Sequence, residues 1–201
     1  MKILIATGNQ GKKMELLEAF AAHGGLENLE ILSLADFPEI TDDVEETGKS
    51  FEENALLKAK FFGEKFNIPA IGEDSGLILD AFPEKFGIRT RREIPAATDE
   101  LWLETFLKLL ENVENRRATF FSATAFFDPN SGNSETFLGS TAGKITAKPE
   151  SKLEPGIPVS AVFCADGETK VYSALQREQK NKISHRGKSV AQLHAFLKNL
   201  K

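Results

Sequence analysis

Cysteine is nearly absent from this chain of 201 residues, whose one cysteine is Cys164. A single cysteine excludes both an internal disulfide and a zinc site built from several cysteines. Long hydrophobic runs are also missing, because the amino terminus offers only four apolar residues after Lys2. This run is too short for a signal peptide or a membrane span, so we expect a cytoplasmic protein without a membrane partner.

Positive charge is in the minority, with 25 Lys and Arg against 30 Asp and Glu and a net charge of −5. This balance does not suit nonspecific nucleic-acid binding, although a local basic pocket can still bind a nucleotide. Hydrophobic residues make up 41% of the chain and charged residues 27%, as in globular proteins. We expect one domain over residues 1–201, without repeats or low-complexity segments.

Strand-like apolar runs and helical periodicity are mixed along the chain, which predicts an α/β fold with some antiparallel pairing. Asp99 is the expected N-cap of one of the helices. Strands are predicted at Ile3–Ala6, Glu30–Leu34, Ala70–Ile71, Leu77–Ala81, Ala118–Phe127, Ser134–Leu138 and Val159–Ala165. Helices are predicted at Lys12–Ala22, Ser50–Phe66, Asp99–Asn112 and Gly187–Leu200.

The first strand runs into a polar, glycine-containing loop, Thr7–Gly11, and then into a helix that begins near Lys12. Backbone N–H groups and the helix dipole favour an anion at such a helix N-terminus, and Lys12 adds a full positive charge. The loop is not a Walker motif, because Ala6 and Lys13 replace the glycine and the hydroxyl residue that it requires. Phosphate binding and an ordinary strand–helix turn both fit this pattern.

A second polar segment begins at Glu45 and leads into a helix for which Ser50 and Glu53 form a capping box. Asn54 and Lys58 are four residues apart, so they share one face of this helix. One interpretation places Lys58 on a phosphate and a carboxylate of the preceding loop on a metal. The other is a solvated helix with routine capping.

Adjacent acids interrupt two apolar runs at Gly72–Gly76, which contains Glu73, Asp74 and Ser75. Buried carboxylates are costly unless they are paired or bind a metal, and Mg²⁺ takes one or two carboxylates together with substrate phosphates. A polar hairpin turn explains the same residues equally well.

Basic and polar residues gather before the last helix, from Lys180 to Gly187. Arginine can donate two hydrogen bonds to a phosphate or a base carbonyl, although a charged helix start is also common. His23 and His194 are expected on helix surfaces without a role, and no motif for acyl transfer is present.

Four segments together resemble the inosine triphosphate pyrophosphatase family, and they follow the family's order across nearly the whole chain. They are Thr7–Lys12, Glu46–Lys58, Glu73–Leu77 and Lys180–Gly187. The resemblance implies a two-lobed α/β fold with a long central mixed sheet, flanking helices and a nucleotide cleft between the lobes, in a homodimer. It implies Mg²⁺-dependent hydrolysis of ITP, dITP or XTP to a monophosphate and pyrophosphate, as in nucleotide-pool sanitation.

The resemblance also implies roles for individual residues. Asp74 would be the general base and, with Glu46, would bind the metal. Asn9, Lys12 and Lys58 would hold phosphates. The full set of implied substrate-binding residues is Thr7, Gly8, Asn9, Gln10, Gly11, Lys12, Lys58, Ser75, Lys180, His185 and Arg186.

Two segments depart from the family pattern, and both concern the base. Where the family usually has Phe-Gly-Tyr-Asp, this chain has Ile157–Ser160, which removes an aromatic ring that would stack on the purine. The family's Pro-Gly-Val-Tyr-Ser-Ala-Arg-Tyr appears here as Phe86–Glu93, which keeps Arg92 and adds Arg89 and Arg91. Two alternatives therefore stay open: a nucleotide-binding regulator with weak catalysis, and a pyrophosphatase that prefers pyrimidine or modified bases.

Overall fold

The computed structural model of the chain describes residues 1–25, 29–39 and 44–200. The expected domain over 1–201 also includes residues 26–28, 40–43 and 201, which lie outside this description. The strands are β1 (Lys2–Ala6), β2 (Glu30–Ser33), β3 (Ala70–Leu79), β4 (Phe82–Gly87), β5 (Arg117–Phe127), β6 (Ser134–Ile145) and β7 (Phe163–Ala165). The helices are α1 (Gln10–Ala22), α2 (Phe51–Phe66), α3 (Asp99–Leu109), α4 (Arg177–Ile183) and α5 (His185–Asn199).

A seven-stranded mixed sheet forms the centre of the molecule, in the order β2-β1-β3-β5-β6-β7, with β4 paired to β3. β1 runs parallel to β2 and to β3, whereas β3, β5, β6 and β7 pair antiparallel. β3 and β5 pair over ten residues, from Ala70 opposite Phe127 to Leu79 opposite Ala118. The predicted α/β class with a mixed sheet and flanking helices is confirmed.

Several strand predictions need correction. Gly72–Gly76 is neither a break nor a hairpin turn, because β3 continues through it as one strand. Val159–Ala165 contains only the three-residue β7, and Pro158–Ala161 is a 3₁₀ helix. β4 was not predicted, since Pro83 interrupts a short run that pairs with β3 at two positions.

The helix starts follow capping chemistry. Asn9, Ser50, Thr98 and Ser184 are the N-caps of α1, α2, α3 and α5, and each side chain accepts a hydrogen bond from the first turn. The N-cap of α3 is therefore Thr98 and not Asp99, which lies in its first turn. The capping box at Ser50 is only half formed, because the Glu53 carboxylate accepts from the Lys49 N–H.

Close packing of α2 on the sheet depends on Gly72. A Cβ atom at this position would lie 2.0 Å from the Ala55 carbonyl oxygen, so only glycine lets the helix approach β3 so closely. α1 and α5 cover another part of the sheet around Ile3, Ile71 and Leu193. No helix of the described residues is long and apolar enough to cross a membrane.

Candidate functional site

The two acids of β3 face opposite sides of the sheet because side chains alternate along a strand. Asp74 points toward α2, on the same side as Gly72, whose missing side chain brings that helix close. Glu73 and Ser75 point to the other side, where α1 and α5 pack. One strand thus supplies functional groups to two layers of the molecule.

On the α2 side, Asp74 contacts both polar residues that the helix spacing places on one face. Asn54 Nδ2 donates to Asp74 Oδ2 at 3.2 Å, and Lys58 Nζ lies 3.3 Å from Asp74 Oδ1. Lys58 also pairs with Glu46, whose other oxygen accepts from Arg92 Nη2 at 2.7 Å. This helix face is therefore not solvated, and Lys58 joins the two predicted metal-binding carboxylates.

Burial and charge act against each other in this cluster. Burial raises the pKa of Asp74 above its usual range, and the charges of Lys58 and Lys12 offset only part of this effect. For Lys58, burial lowers the pKa, but the neighbouring carboxylates of Asp74 and Glu46 outweigh it and the net shift is upward. The pKa of Glu46 is lowered, because Lys58 and Arg92 outweigh its burial. Asp74 thus binds a proton more strongly than an ordinary aspartate, because its pKa is raised, as expected of a general base.

On the opposite face, Arg186 is buried and joins Glu73 to Ser75. Its Nη2 atom donates to Glu73 Oε1 at 3.0 Å and to Ser75 Oγ at 2.9 Å, while Nη1 pairs with Glu15. Lys12 Nζ lies 3.0 Å from Glu73 Oε2, which is an ion pair without the alignment of a hydrogen bond. Arg186 therefore positions two residues of the central strand.

The loop after β1 is shorter than predicted, because α1 already begins at Gln10. Asn9 Oδ1 accepts from the Lys12 N–H at 3.0 Å, and Asn9 Nδ2 donates to the Gly156 carbonyl at 3.0 Å. Gly11 faces the Pro155 carbonyl, which a Cβ atom would approach to 2.4 Å. Asn9 and Gly11 thus fix the first loop against the segment that precedes Ile157.

Two cavities meet at these residues. The larger has a volume of about 850 Å³ and a polar, charged wall that includes Thr7, Gly8, Lys58, Asp74 and Arg92. The smaller, of about 110 Å³, has a more apolar wall that includes Trp102, Phe120 and Ile157–Ser160. Residues that line both are Asn9, Lys12, Ser75 and Arg91. The pair of cavities matches the polar and apolar parts of a nucleotide.

The Lys180–Gly187 segment is divided by the fold. His185 and Arg186 line the smaller cavity from the first turn of α5, which begins two residues earlier than predicted. Lys180 lies in α4, pairs with Glu15 at 2.6 Å and Glu154 at 2.8 Å, and lines a third cavity of about 280 Å³. Gln10 and Gly11 line that third cavity as well.

His185 is buried and stacks on Phe120, with ring centroids 4.6 Å apart. Burial, with the nearby charges of Lys180, Lys12 and Lys188, lowers the pKa of His185 to about 3. The ring is therefore neutral at physiological pH. His194 is also buried, with Nε2 2.7 Å from the Gly25 carbonyl oxygen, which corrects the predicted surface position.

The residues of the larger cavity fit a divalent cation. Asp74 and Glu46 supply carboxylate oxygens, the donors that Mg²⁺ prefers, beside a space large enough for phosphates and water. Within the described ranges, no group of three or more His, Cys, Asp or Glu side chains is placed to hold a metal ion. Two carboxylates are nevertheless enough for Mg²⁺ when substrate phosphates complete the coordination.

Several residues of the site were not predicted as site residues. Glu15 joins Arg186 to Lys180, and Trp102 and Arg91 form part of the smaller cavity. Glu15 looks like an ordinary polar position of an amphipathic helix, so no local signal identified it. The extra arginines of Phe86–Glu93 were noticed, but only the fold places Arg91 in both cavities.

Comparison with known proteins matches nearly the whole chain. The Ham1 family profile matches residues 3–196. A dITP/XTP pyrophosphatase of Aquifex aeolicus is 38% identical over 99% of this chain and 98% of its own. A protein of the same name from Oceanobacillus iheyensis is 36% identical over 98% of both chains.

Solved structures show the same fold. The Staphylococcus aureus Ham1 protein covers 100% of both chains with a TM-score of 0.79 and 31% identity. A HAM1 protein from Coxiella burnetii covers 100% of both chains with a TM-score of 0.81 and 27% identity. Since profile, sequence and fold agree from β1 to α5, the chain with this paired-cavity site belongs to the Ham1 family.

Proposed function

We propose that this chain hydrolyses dITP, ITP or XTP to the nucleoside monophosphate and pyrophosphate, with Mg²⁺ and with Asp74 as the general base. The observation that carries the proposal is the contact of Asp74 with Asn54 and Lys58 in the wall of a polar cavity that adjoins an apolar one. The names of the curated relatives support hydrolysis of the same substrates. They do not favour a purely regulatory role.

In the proposed reaction, the Asp74 carboxylate accepts a proton from a water molecule whose oxygen attacks the α-phosphorus. The bond between the α-phosphorus and the oxygen that bridges to the β-phosphorus breaks, and pyrophosphate leaves. Lys12 and Lys58 line the polar cavity and would stabilise the negative charge that develops. Mg²⁺ bound by Asp74 and Glu46 would neutralise phosphate charge and orient the substrate.

The smaller cavity would take the base. Its wall offers Trp102 and Phe120 for apolar contact and buried Arg186 as a hydrogen-bond donor. A keto oxygen at the purine 6-position accepts a hydrogen bond, as hypoxanthine and xanthine require, whereas the amino group of adenine donates one. This difference supports a preference for ITP, dITP and XTP over ATP.

A nucleotide panel with product analysis tests the proposal. We expect pyrophosphate, and not orthophosphate, from ITP, dITP and XTP, with much slower turnover of ATP and no turnover in EDTA. Turnover confined to pyrimidine nucleotides would select that alternative. Nucleotide-dependent thermal stabilisation without turnover would instead support the regulatory alternative.

The remaining parts of the proposal are a single domain over residues 1–201, a homodimer and a cytoplasmic location. They rest on the family resemblance and on the composition of the chain. Light scattering of the purified protein tests the dimer, since a monomer of the 22.1 kDa chain and its dimer differ twofold in mass.

A further inference from the structure

Arg91 is held in place by both its backbone and its side chain. Its carbonyl oxygen accepts a hydrogen bond from Trp102 Nε1 at 3.2 Å, and its guanidinium carbon lies 5.8 Å from the centre of the Trp102 ring. Its Nη1 atom lies 2.9 Å from Asp99 Oδ1. These contacts restrict a long side chain, so part of its rotamer entropy is already lost before a ligand binds.

Asp99 connects Arg91 to the rest of the site. Asp99 Oδ2 accepts from the Gly156 N–H at 2.6 Å, and the Gly156 carbonyl accepts from Asn9 Nδ2 at 3.0 Å. One ion pair and two hydrogen bonds therefore link Arg91 through the wall of the apolar cavity to the loop after β1. The position of Arg91 is tied to both cavities.

Among the described residues, four line both cavities, and the side chains of three of these bond to backbone groups or to buried side chains. Asn9 bonds to Gly156 and Lys12, Lys12 pairs with buried Glu73, and Ser75 accepts from Arg186. Arg91 differs because its side chain is 51% exposed and its ion-pair partner, Asp99, is also partly exposed. A guanidinium has five N–H donors, so one carboxylate oxygen leaves donors for a ligand.

We propose that Arg91 binds the α-phosphate of the nucleotide, an inference that rests on the function proposed above. With the base in the apolar cavity and the β- and γ-phosphates in the polar one, the ribose and the α-phosphate lie at the junction. Of these two groups only the α-phosphate is anionic and matches the fork of a guanidinium. The family segment that Phe86–Glu93 resembles has alanine where this chain has Arg91.

The test compares Arg91→Ala with Arg91→Lys and with the control Arg89→Ala. Arg89 is an exposed arginine paired with Glu93 that lines neither of these cavities in the described part of the chain. For Arg91→Ala we expect kcat/KM for ITP to fall about 10- to 100-fold, the range for a lost hydrogen bond to a charged group. The kcat/KM of Arg91→Lys should lie between those of wild type and Arg91→Ala, because lysine keeps the positive charge but lacks the forked donors of a guanidinium.

Product binding distinguishes the α-phosphate from other contacts. Arg91→Ala should weaken inhibition by inosine monophosphate by about the same factor and leave inhibition by pyrophosphate unchanged, while Arg89→Ala stays within twofold of wild type in all three assays. Unchanged inhibition by inosine monophosphate, or equal effects of the two alanine variants, would overturn the assignment.

Failure of the proposed function is recognised separately. If the wild-type protein releases no pyrophosphate, the hydrolase proposal is wrong. Calorimetric titration of wild type and Arg91→Ala with inosine monophosphate still decides the contact, because binding needs no turnover. Weaker binding by the variant supports it, and equal or undetectable binding by both proteins overturns it.

Discussion

The polar cavity beside Asp74 and the apolar cavity beside Trp102 are built in different ways. In the polar cavity, charged side chains from the loop before α2, from α2 and from β3 hold each other through ion pairs and hydrogen bonds. The apolar cavity is formed by packed rings and by the 3₁₀ segment Pro158–Ala161. Charge clusters need fixed partners and distances, whereas apolar walls tolerate changes of similar volume.

This difference agrees with where the sequence departs from its family. The loop after β1, the segment before and within α2, and Asp74 in the polar cavity match the family segments, and the departure at Ile157–Ser160 lines the apolar cavity, while Phe86–Glu93 supplies residues to both cavities. Changes on the polar side should therefore reduce turnover of every nucleotide. Changes on the apolar side should instead alter the choice among nucleotides.

Asp74→Asn in the polar cavity should have the largest effect on turnover. Asparagine has nearly the same size but cannot accept the proton from water, so turnover of all nucleotides should fall about 10²–10⁴-fold. The measurement is pyrophosphate release. Asp80→Asn is the control, since Asp80 is an exposed acid just after the same strand. A variant that kept more than a tenth of wild-type turnover would show that Asp74 is not the base.

Glu15→Gln should lower the stability of the layer formed by α1 and α5, which supports both cavities. Glu15 is the shared partner of buried Arg186 and Lys180, and loss of a buried ion-pair partner costs about 3–5 kcal/mol of the free energy of unfolding. Denaturant unfolding measures this loss. Glu18→Gln in the same helix is the control, because Glu18 pairs with exposed Arg177 and should cost under about 1 kcal/mol. Equal losses in the two variants would contradict the supporting role of Glu15.

The neutral His185 of the apolar cavity predicts a dependence of stability on pH. Its pKa is about 3 in the folded protein and 6.5 as the ordinary value, so the unfolded chain binds more protons between these limits. As pH falls from 6.5 toward 3, this residue should lower the free energy of unfolding by ~1.4 kcal/mol per pH unit.

The variant His185→Phe keeps a ring against Phe120 and removes the titration. Denaturant unfolding of wild type and variant at pH 7, 6 and 5 gives two stability curves. The free energy of unfolding of the variant should rise relative to that of wild type as the pH falls. Parallel curves would show that His185 does not stay neutral in the folded protein.

Ile157→Phe in the apolar cavity should have the smallest effect, a lower KM for ITP. A ring at this position would restore stacking on a purine, which contributes about 1–3 kcal/mol per base, and Ile157 already supplies part of the contact. We expect KM for ITP to fall about fivefold, equivalent to ~1 kcal/mol. Inhibition by inorganic tripolyphosphate, which has no base, should stay unchanged. A change in both values would place Ile157 against the phosphates.

Local patterns predicted the strand, loop and helix at the amino terminus and the shared helix face of Asn54 and Lys58. These features depend on periodicity and capping, which neighbouring residues determine. The strand through Gly72–Gly76 was missed, because its polar residues fit a turn until β5 pairs with it over ten residues. α4 was missed as well, since its seven residues are too few to show periodicity.

The sequence by itself determined most of the order of strands and helices, apart from β4, α4 and the unbroken β3, and the chemical groups of the polar cavity, because these depend on residue types at short spacings. Only the tertiary structure decided which charged side chains pair with each other. Arg186 and Glu73 are 113 positions apart, and Arg92 and Glu46 are 46 apart, so each pair depends on sheet register and helix packing. Burial in that packing also raised the pKa of Asp74 and kept His185 neutral, which no local pattern encodes.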